Sequence, residues 1–486
     1  MSGRKLRWLG FGLVASAGAS LWALTSVMNS AFAYGDVDVL SPVPDIGLVM
    51  GGSGLPIPGS EYVTAVDALY IVPNFPDTTF PNPYANGLFT PEGLYPVTGV
   101  KSLPFDTSVS EGVTILNNSI ESNVAAGDAS TVFGYSQSAT ISSLEMKQLA
   151  PLGTPSNLPV QFVLIGDPNA PNGGLFERFD GLFLPSLGID LNAGATPADD
   201  FTTVIYSQEY DGAADFPQYP INFLSDLNAW LGVYYLHGTY PALTPAEVAT
   251  AITLPTSGAT ETTYYMIPTT DLPLLDPVRD IPLIGNPIAD LLQPDLTYIV
   301  NLGYGDPLYG YSTGPANVAT PFGLFPPLSD FEQLPGLLVS GIEQGTHNFI
   351  DDFTGTGPNP VTLASLSSLT SLLDASSGTT SALADPFTAL SVLANDPASS
   401  VTNLVNALSS AASTAYGTVL PTADLANALV TSLPAYDVSL FLNNLSDPIS
   451  AIGLPIAADT ALITGGGFVE SEVLADAALA IIGLLP

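Results

Sequence analysis

The sequence contains no cysteine, and this absence excludes disulfides, thiolate metal sites and a cysteine nucleophile. Basic residues are also scarce, because 7 Lys and Arg stand against 45 Asp and Glu and leave a formal charge of −38. A surface so acidic repels phosphate backbones and anionic head groups, so we expect no nucleic-acid partner. The last basic residue is Arg279, and the chain beyond it must be held by burial and hydrogen bonding.

Histidine is nearly absent as well, since the chain has only His237 and His347. Two histidines without cysteine are too few for the usual structural zinc sites. No regularly spaced Asp loop ends in a Glu, so no calcium-binding loop is predicted. We therefore expect neither a metal ion nor another cofactor, and a catalytic imidazole has to come from one of these two positions.

The N-terminus has the pattern of an export segment. Three of the seven basic residues fall within the first seven positions, and residues 8–28 are uncharged and mostly apolar. Residues 31–33, Ala-Phe-Ala, offer the small side chains that a signal peptidase reads. Residues 1–33 are predicted to be a signal peptide, with an uncleaved membrane anchor as the alternative. The protein is accordingly expected to be secreted or to lie in the cell envelope.

Short apolar runs alternate with stretches of helical periodicity between residues 46 and 237. The strands are predicted at 46–50, 130–134, 160–165 and 202–207, and the helices at 108–124, 138–149 and 221–237. Such alternation is typical of an α/β fold with a mainly parallel central sheet. Residues 265–330 are dense in Pro, Gly and Leu and are expected to form an irregular cap beside a site.

Composition changes near residue 356 to Ala, Ser, Thr and Leu. Two groups of apolar residues keep helical spacing there, namely Leu363, Leu366, Leu369 and Leu373, and Val401, Leu404, Val405 and Leu408. We predict an α/β domain over 34–340 and a mostly helical region over 341–486. A partly disordered, low-complexity tail is the alternative, but its apolar content is high for a solvated chain.

Residues 131–140 read TVFGYSQSAT, which is typical of a strand, a sharp turn and a helix. A nucleophile elbow places a serine at such a turn and needs small residues two positions before and after it. Gly134 and Ser138 meet this need around Ser136, although the second position is usually glycine. We predict Ser136 to be a nucleophile, with an ordinary serine in a Ser-rich chain as the alternative.

A serine nucleophile needs a base and a carboxylate that orients the base. His237, in the stretch YYLHGTY, follows an acidic turn at 209–215 and so gives the Ser, Asp, His order of α/β-hydrolases. Asp211 directly follows a predicted strand and is predicted to be the acid, while Asp215 stays open as the alternative. His347 stands at the edge of the compositional change and is expected to be an ordinary histidine.

Acyl transfer also requires hydrogen-bond donors for the developing oxyanion. The backbone amide of Gln137, directly after the predicted nucleophile, is one candidate. The loop Gly-Gly-Ser-Gly at 51–54 follows an early strand, and Gly52 and Ser53 are the candidates for the second amide. This loop lacks both the lysine of a phosphate-binding loop and the full dinucleotide fingerprint.

The chain resembles the PE-PPE domain of mycobacterial proteins, a serine-hydrolase family of the α/β-hydrolase class akin to cutinases. The resemblance covers roughly residues 46–310. It is carried by LVMGGSGLPIP (48–58), LFTPEGLYPVTGVKSLPFDTSVSEGVTIL (88–116), FGYSQSAT (133–140), QEYDGAADFPQYPINFLSDLNAWLGVYYLHGTY (208–240) and LTYIVNLGYGDP (296–307).

The resemblance implies Ser136 as nucleophile, His237 as base, and Asp211 or Asp215 as the acid. It also implies an acyl ester or lipid as substrate, because known members hydrolyse short to medium acyl esters and some look like acyltransferases that build trehalose glycolipids. We therefore expect an exported serine esterase, with an acyltransferase of cell-envelope glycolipid synthesis as one alternative. The other alternative is a non-catalytic envelope scaffold that binds lipid or protein.

The sequence departs in two ways from the protein families that it resembles. The predicted export segment stands where full-length PE and PPE proteins have a helical module, so their secretion routes and partners are not carried over. Ser138 in place of glycine and the absence of cysteine separate the chain from disulfide-bonded cutinases.

Overall fold

The structure is a computed structural model that describes residues 45–80, 87–150, 157–361 and 397–482. The predicted export segment at 1–33 and the leucine series at 363–373 lie outside the described residues.

Seven strands form one sheet in the order β2-β1-β3-β4-β7-β9-β8. Every pairing in it is parallel except that of β8 with β9. A separate antiparallel ribbon joins β5 to β6. The strands are β1 (Asp45–Val49), β2 (Thr78–Thr79), β3 (Ala129–Tyr135), β4 (Val160–Ile165), β5 (Phe183–Leu184), β6 (Ile189–Asp190), β7 (Thr203–Gln208), β8 (Ile252–Thr253) and β9 (Thr262–Ile267).

Helices flank the sheet and make up the C-terminal region, which confirms the predicted α/β fold with a helical C-terminal part. The α-helices are α1 (Ser60–Val66), α2 (Phe105–Ala126), α3 (Gln137–Leu149), α4 (Leu175–Arg178), α5 (Phe223–Tyr235), α6 (Pro245–Val248), α7 (Asp276–Arg279), α8 (Gly285–Asn301), α9 (Leu328–Thr354), α10 (Pro397–Gly417), α11 (Val419–Asn427), α12 (Leu433–Asn443) and α13 (Pro448–Ile482). Short 3₁₀ helices span His237–Ala242 and Pro273–Leu275, and π-helical turns span Asp67–Ile71 and Ala428–Ser432.

The central strands are covered on both faces, which is why they are rich in apolar and β-branched residues. Alternate side chains point to opposite faces of a strand. Val132 and Phe162 therefore pack with α2 and α3, whereas Phe133 and Val163 pack with α1 and with Tyr240. The loops that leave the carboxyl ends of the strands carry the candidate site.

The prediction of an irregular cap over 265–330 is wrong in part. The strand β9 extends into it, and α8 takes up 17 of its residues. The high proline content concealed this helix, although Pro287 lies in its first turn, where proline is tolerated. The remaining irregular segment does lie beside the acidic turn, since the Gly310 amide donates to Glu209 Oε1 at 3.0 Å.

The C-terminal helices pack on the α/β part through small residues. Ala457, Ala458 and Ala461 of α13 are fully buried, and the Ala461 carbonyl accepts a 3.1 Å hydrogen bond from the Trp230 indole of α5. The alanine-rich composition therefore reflects close helix packing. The expected boundary between residues 340 and 341 falls inside the continuous helix α9.

Several acidic side chains are buried in the α/β part. Glu145 of α3 is fully buried, and neither of its carboxylate oxygens has a hydrogen-bond partner among the described residues. Burial, with repulsion from Glu121, raises the pKa of Glu145 to about 7. Burial also raises the pKa of Asp167 to about 6 and that of Glu177 to about 7. These groups favour folding while they remain protonated.

We expect thermal unfolding at a higher temperature at pH 5 than at pH 8, by more than about 5 °C. The folded-state pKa values exceed the unfolded ones, so the stabilisation is complete below the unfolded values and is lost as pH rises through the folded values. Thermal scans by circular dichroism across this range measure the difference. Glu145→Gln should raise the midpoint at the higher pH and change it little at the lower one, and equal wild-type midpoints would contradict the prediction.

Candidate active site

Ser136 lies at the sharp turn between β3 and α3. Its backbone angles, φ 57° and ψ −117°, fall in a region that side-chain-bearing residues rarely adopt. A Cβ on Gly134 would come within 2.7 Å of the Ser138 carbonyl oxygen and 3.0 Å of the Ala139 Cα. Strand and helix approach so closely here that a small residue is required two positions before the serine, as in a nucleophile elbow.

Ser138, at the position usually held by glycine, fits because its side chain is used in the turn. It is fully buried, and its hydroxyl accepts a 2.8 Å hydrogen bond from the Tyr135 amide. The same hydroxyl lies 3.1 Å from the Tyr135 carbonyl, to which it donates. The extra atoms therefore satisfy backbone groups of the turn instead of crowding it.

His237 begins a 3₁₀ helix and joins Ser136 to Asp211. Its Nε2 lies 2.8 Å from Ser136 Oγ, and its Nδ1 lies 3.0 and 2.9 Å from the two carboxylate oxygens of Asp211. The histidine side chain is 13% exposed, whereas that of Asp211 is wholly buried. A proton on Nδ1 held by the carboxylate leaves Nε2 free to accept the serine proton.

Asp211 is fixed in the turn after β7 by two further donors. The Ala213 amide donates to Oδ1 at 3.1 Å, and the Tyr240 hydroxyl donates to Oδ2 at 2.8 Å. The Tyr240 hydroxyl in turn accepts the Gln208 amide at 2.7 Å. These bonds hold the carboxylate toward the imidazole.

Asp215, the alternative acid, points elsewhere in the same turn. Its Oδ2 accepts the Tyr210 amide at 3.0 Å, and no hydrogen bond joins it to His237 among the described residues. Burial raises the pKa of Asp215 well above its usual range, and the nearby Arg178 acts against this shift. Asp215 thus braces the backbone that carries Asp211.

Two tyrosines support the site without having been identified from the sequence. Tyr240 contacts Asp211 as described, and the Tyr135 hydroxyl donates to the His237 carbonyl at 2.5 Å. The sequence does offer a sign that Tyr240 lies near the site. It stands three residues after His237 in the HGTY stretch, and residues three apart align in a 3₁₀ helix. Tyr135 gave no such signal, since its contact with residue 237 is made across the fold.

The candidate oxyanion donors lie next to Ser136. A Cβ on Gly52 would come within 3.3 Å of the Ser136 Cβ and 2.9 Å of the Tyr135 ring, so this loop directly borders the serine. The amides of Gly52, Ser53 and Gln137 donate to no other group of the described residues. These amides can therefore serve a charged oxygen at the serine.

His347 is exposed on α9, and no hydrogen bond joins its side chain to the other described residues. Within the ranges that the structure describes, no three or more His, Cys, Asp or Glu side chains are grouped so as to hold a metal ion. Chemically, the arrangement can transfer a proton from a serine hydroxyl to an imidazole and stabilise an oxyanion beside it.

Comparisons with known proteins agree with this architecture. Residues 81–305 match the PE-PPE domain. The chain is 46% identical over 478 residues to the PPE family protein PPE28 of Mycobacterium tuberculosis, which covers 96% of this chain and 70% of the relative. It is 39% identical over 441 residues to the esterase PE16 of the same organism, covering 87% of this chain and 78% of the relative.

A more distant relative is the SL1278 acyltransferase Chp1 of Mycobacterium tuberculosis, at 32% identity over 239 residues, 48% of this chain and 55% of the relative. No solved structure matches the chain significantly.

A mainly parallel sheet with a strained serine between a central strand and the following helix is the arrangement of an α/β-hydrolase fold. The chain belongs to the PE-PPE domain family, because both the domain match and the relatives above lie within that family. The resemblance predicted from the sequence is confirmed.

Proposed function

We propose that this protein is a serine esterase that cleaves acyl esters of lipids through an acyl-enzyme intermediate. One observation carries the proposal, namely the continuous hydrogen-bonded series from Ser136 Oγ through His237 to a buried Asp211. In a protein with only two histidines, this series uses the one that is nearly buried.

In the first half of the reaction, Ser136 Oγ attacks the ester carbonyl while His237 Nε2 takes its proton. The carbonyl oxygen becomes an oxyanion that the amides of Gln137 and of Gly52 or Ser53 stabilise. Collapse of this intermediate breaks the bond to the alcohol, which leaves with the proton from His237. Asp211 keeps the imidazole oriented and stabilises its charged form.

In the second half, a hydroxyl compound attacks the acyl group on Ser136, and His237 again takes and returns the proton. Water as the attacking group gives hydrolysis, whereas a sugar hydroxyl gives acyl transfer. The esterase name of PE16 supports the first outcome, and the acyltransferase name of Chp1 supports the second. Hydrolysis is our first choice because PE16 is the more similar of the two and spans more of this chain.

The two outcomes are separated by the products. The purified protein can be incubated with an acyl ester in the presence and absence of trehalose, and the products identified by mass spectrometry. Free fatty acid as the main product in both samples supports an esterase, whereas acylated sugar that increases with acceptor concentration supports an acyltransferase.

We also propose that residues 1–33 direct export to the cell envelope and that residues 34–340 and 341–486 form the hydrolase and helical parts. Two helical stretches, Val405–Asn443 and Pro448–Ile482, are apolar and long enough to cross a membrane by length and composition alone. Fractionation of cells that express the full chain tests whether the protein accompanies the envelope.

The proposed chemistry is tested by covalent labelling with a fluorophosphonate, which reacts with activated serines. We expect one adduct per molecule, mapped to Ser136 by peptide mass spectrometry, together with turnover of p-nitrophenyl esters. The hydroxyl of Ser136 accounts for this selectivity because, within the described ranges, no other hydroxyl is hydrogen-bonded to the His237 ring. A protein that neither reacts with the probe nor turns over esters would support the non-catalytic scaffold instead.

A further inference from the structure

The segment Thr90–Gly93 joins the two parts of the chain that carry the candidate oxyanion donors. The Gly54 amide donates to the Glu92 carbonyl at 2.7 Å, which ties the segment to loop 51–54. The Gln137 side chain donates to the Gly93 carbonyl at 2.7 Å, which ties it to the start of α3. The segment therefore sets the separation of the two donor groups.

The Glu92 side chain is an unusual occupant of this position. It is 1% exposed, and its backbone φ of 49° lies in the left-handed region that favours glycine. Thr90 Oγ1 donates to Glu92 Oε1 at 2.5 Å, while Oε2 has no hydrogen-bond partner among the described residues. A buried carboxyl with one unpaired oxygen, on a strained backbone, lowers the free energy of unfolding. Such features are concentrated at functional sites.

The surroundings of Glu92 favour its neutral form. Burial raises the pKa of Glu92 to about 8, against a smaller opposing effect of the Thr90 hydrogen bond. The titratable group that faces it from α1 is Tyr62, whose pKa is raised well above its ordinary value by burial and then by Tyr135 and Glu92. Within the described part of the chain, no basic side chain contributes to the shift at Glu92.

We propose that Glu92 is a positioning residue that holds the oxyanion donors of loop 51–54 and Gln137 in place and does so only while its carboxyl is protonated. This inference rests on the proposed function. The only bond that changes is the carboxyl O–H, whose proton passes to solvent base as pH rises. The resulting buried anion weakens the local packing. It also repels, and so destabilises, the negative charge that develops on the substrate oxygen.

The test is the pH dependence of kcat for p-nitrophenyl butyrate, corrected for spontaneous hydrolysis, in the full chain. Wild-type kcat should fall about tenfold between pH 7 and pH 9, as expected for one ionisation near the pKa of Glu92. In Glu92→Gln the ratio of kcat at these two pH values should lie within about twofold of unity, because the amide cannot ionise. KM should change less than kcat in both proteins.

A matched control and a second variant keep the test decisive. Glu145→Gln removes another buried carboxyl of raised pKa and should keep the wild-type alkaline decline. Thr90→Val removes the hydrogen bond that favours the ionised form, so the decline should move to higher pH even if Glu92→Gln folds poorly.

An alkaline decline that persists in Glu92→Gln, or one that does not move in Thr90→Val, overturns the role of Glu92 alone. Absence of Ser136-dependent turnover at every pH overturns the proposed function itself. The two failures are thus distinguishable.

Discussion

Ser136→Ala is expected to lower kcat for ester hydrolysis by roughly 10⁶-fold, since the nucleophile and its histidine act as one unit. The alanine variant should keep the fold, because the Ser136 hydroxyl makes its one side-chain hydrogen bond among the described residues with His237. Initial rates on p-nitrophenyl butyrate, with protein purified away from host esterases, measure the loss. The residual rate should reflect binding and the oxyanion donors alone.

Because Ser136 and His237 act as one unit, the losses of kcat from their substitutions should not multiply in a double variant. His237→Ala should cost nearly as much as Ser136→Ala, and the double variant should be no slower than either single one. His347→Ala is the matched control, because this second histidine is exposed on α9 and should leave kcat within about twofold of wild type. Multiplicative losses in the double variant would show that the serine and histidine do not act together.

The strands that position the site were predictable because they are buried on both faces and are therefore rich in apolar and β-branched residues. The prediction for β4 matches the structure, and those for β3 and β7 differ from it by one residue at each end. The elbow was predictable for a different reason, since a close strand-helix approach leaves a local trace of small residues at Gly134 and Ser138.

Other features of the fold leave no pattern in the sequence around them. The helix α8 was missed because prolines dominate its surroundings, whereas its position depends on packing against α9, which begins only at Leu328. The Tyr135 contact with residue 237 and the contact of Glu92 with loop 51–54 likewise depend on the whole fold. Distant contacts of this kind can be anticipated only once the sheet order is known.

The choice between Asp211 and Asp215 shows the same limit within a single turn. Both carboxyls are buried, lie four residues apart and follow the same strand. What separates them is direction, since one meets the imidazole and the other meets the Tyr210 amide. A sequence pattern places a residue on a turn but does not orient its side chain.

Asp211→Asn is therefore expected to lower kcat by about 10⁴-fold with little change in KM. Its amide would donate toward His237 Nδ1 and favour the tautomer whose proton lies on Nε2, where it blocks transfer from Ser136. Asp215→Asn should keep kcat within about tenfold of wild type, because burial already favours the neutral acid there and the amide replaces it without loss of charge.

Steady-state kinetics of the two variants, beside thermal scans that confirm folding, distinguish orientation of the base from support of the turn. Asp215→Asn acts on the backbone that carries Asp211, so its effect should appear mainly as a lower unfolding temperature. Asp211→Asn acts on the proton path, so its effect should appear in kcat even where the fold is intact. Equal losses of kcat in two equally folded variants would contradict the assignment of Asp211 as the residue that orients His237, because only this aspartate contacts the imidazole among the described residues.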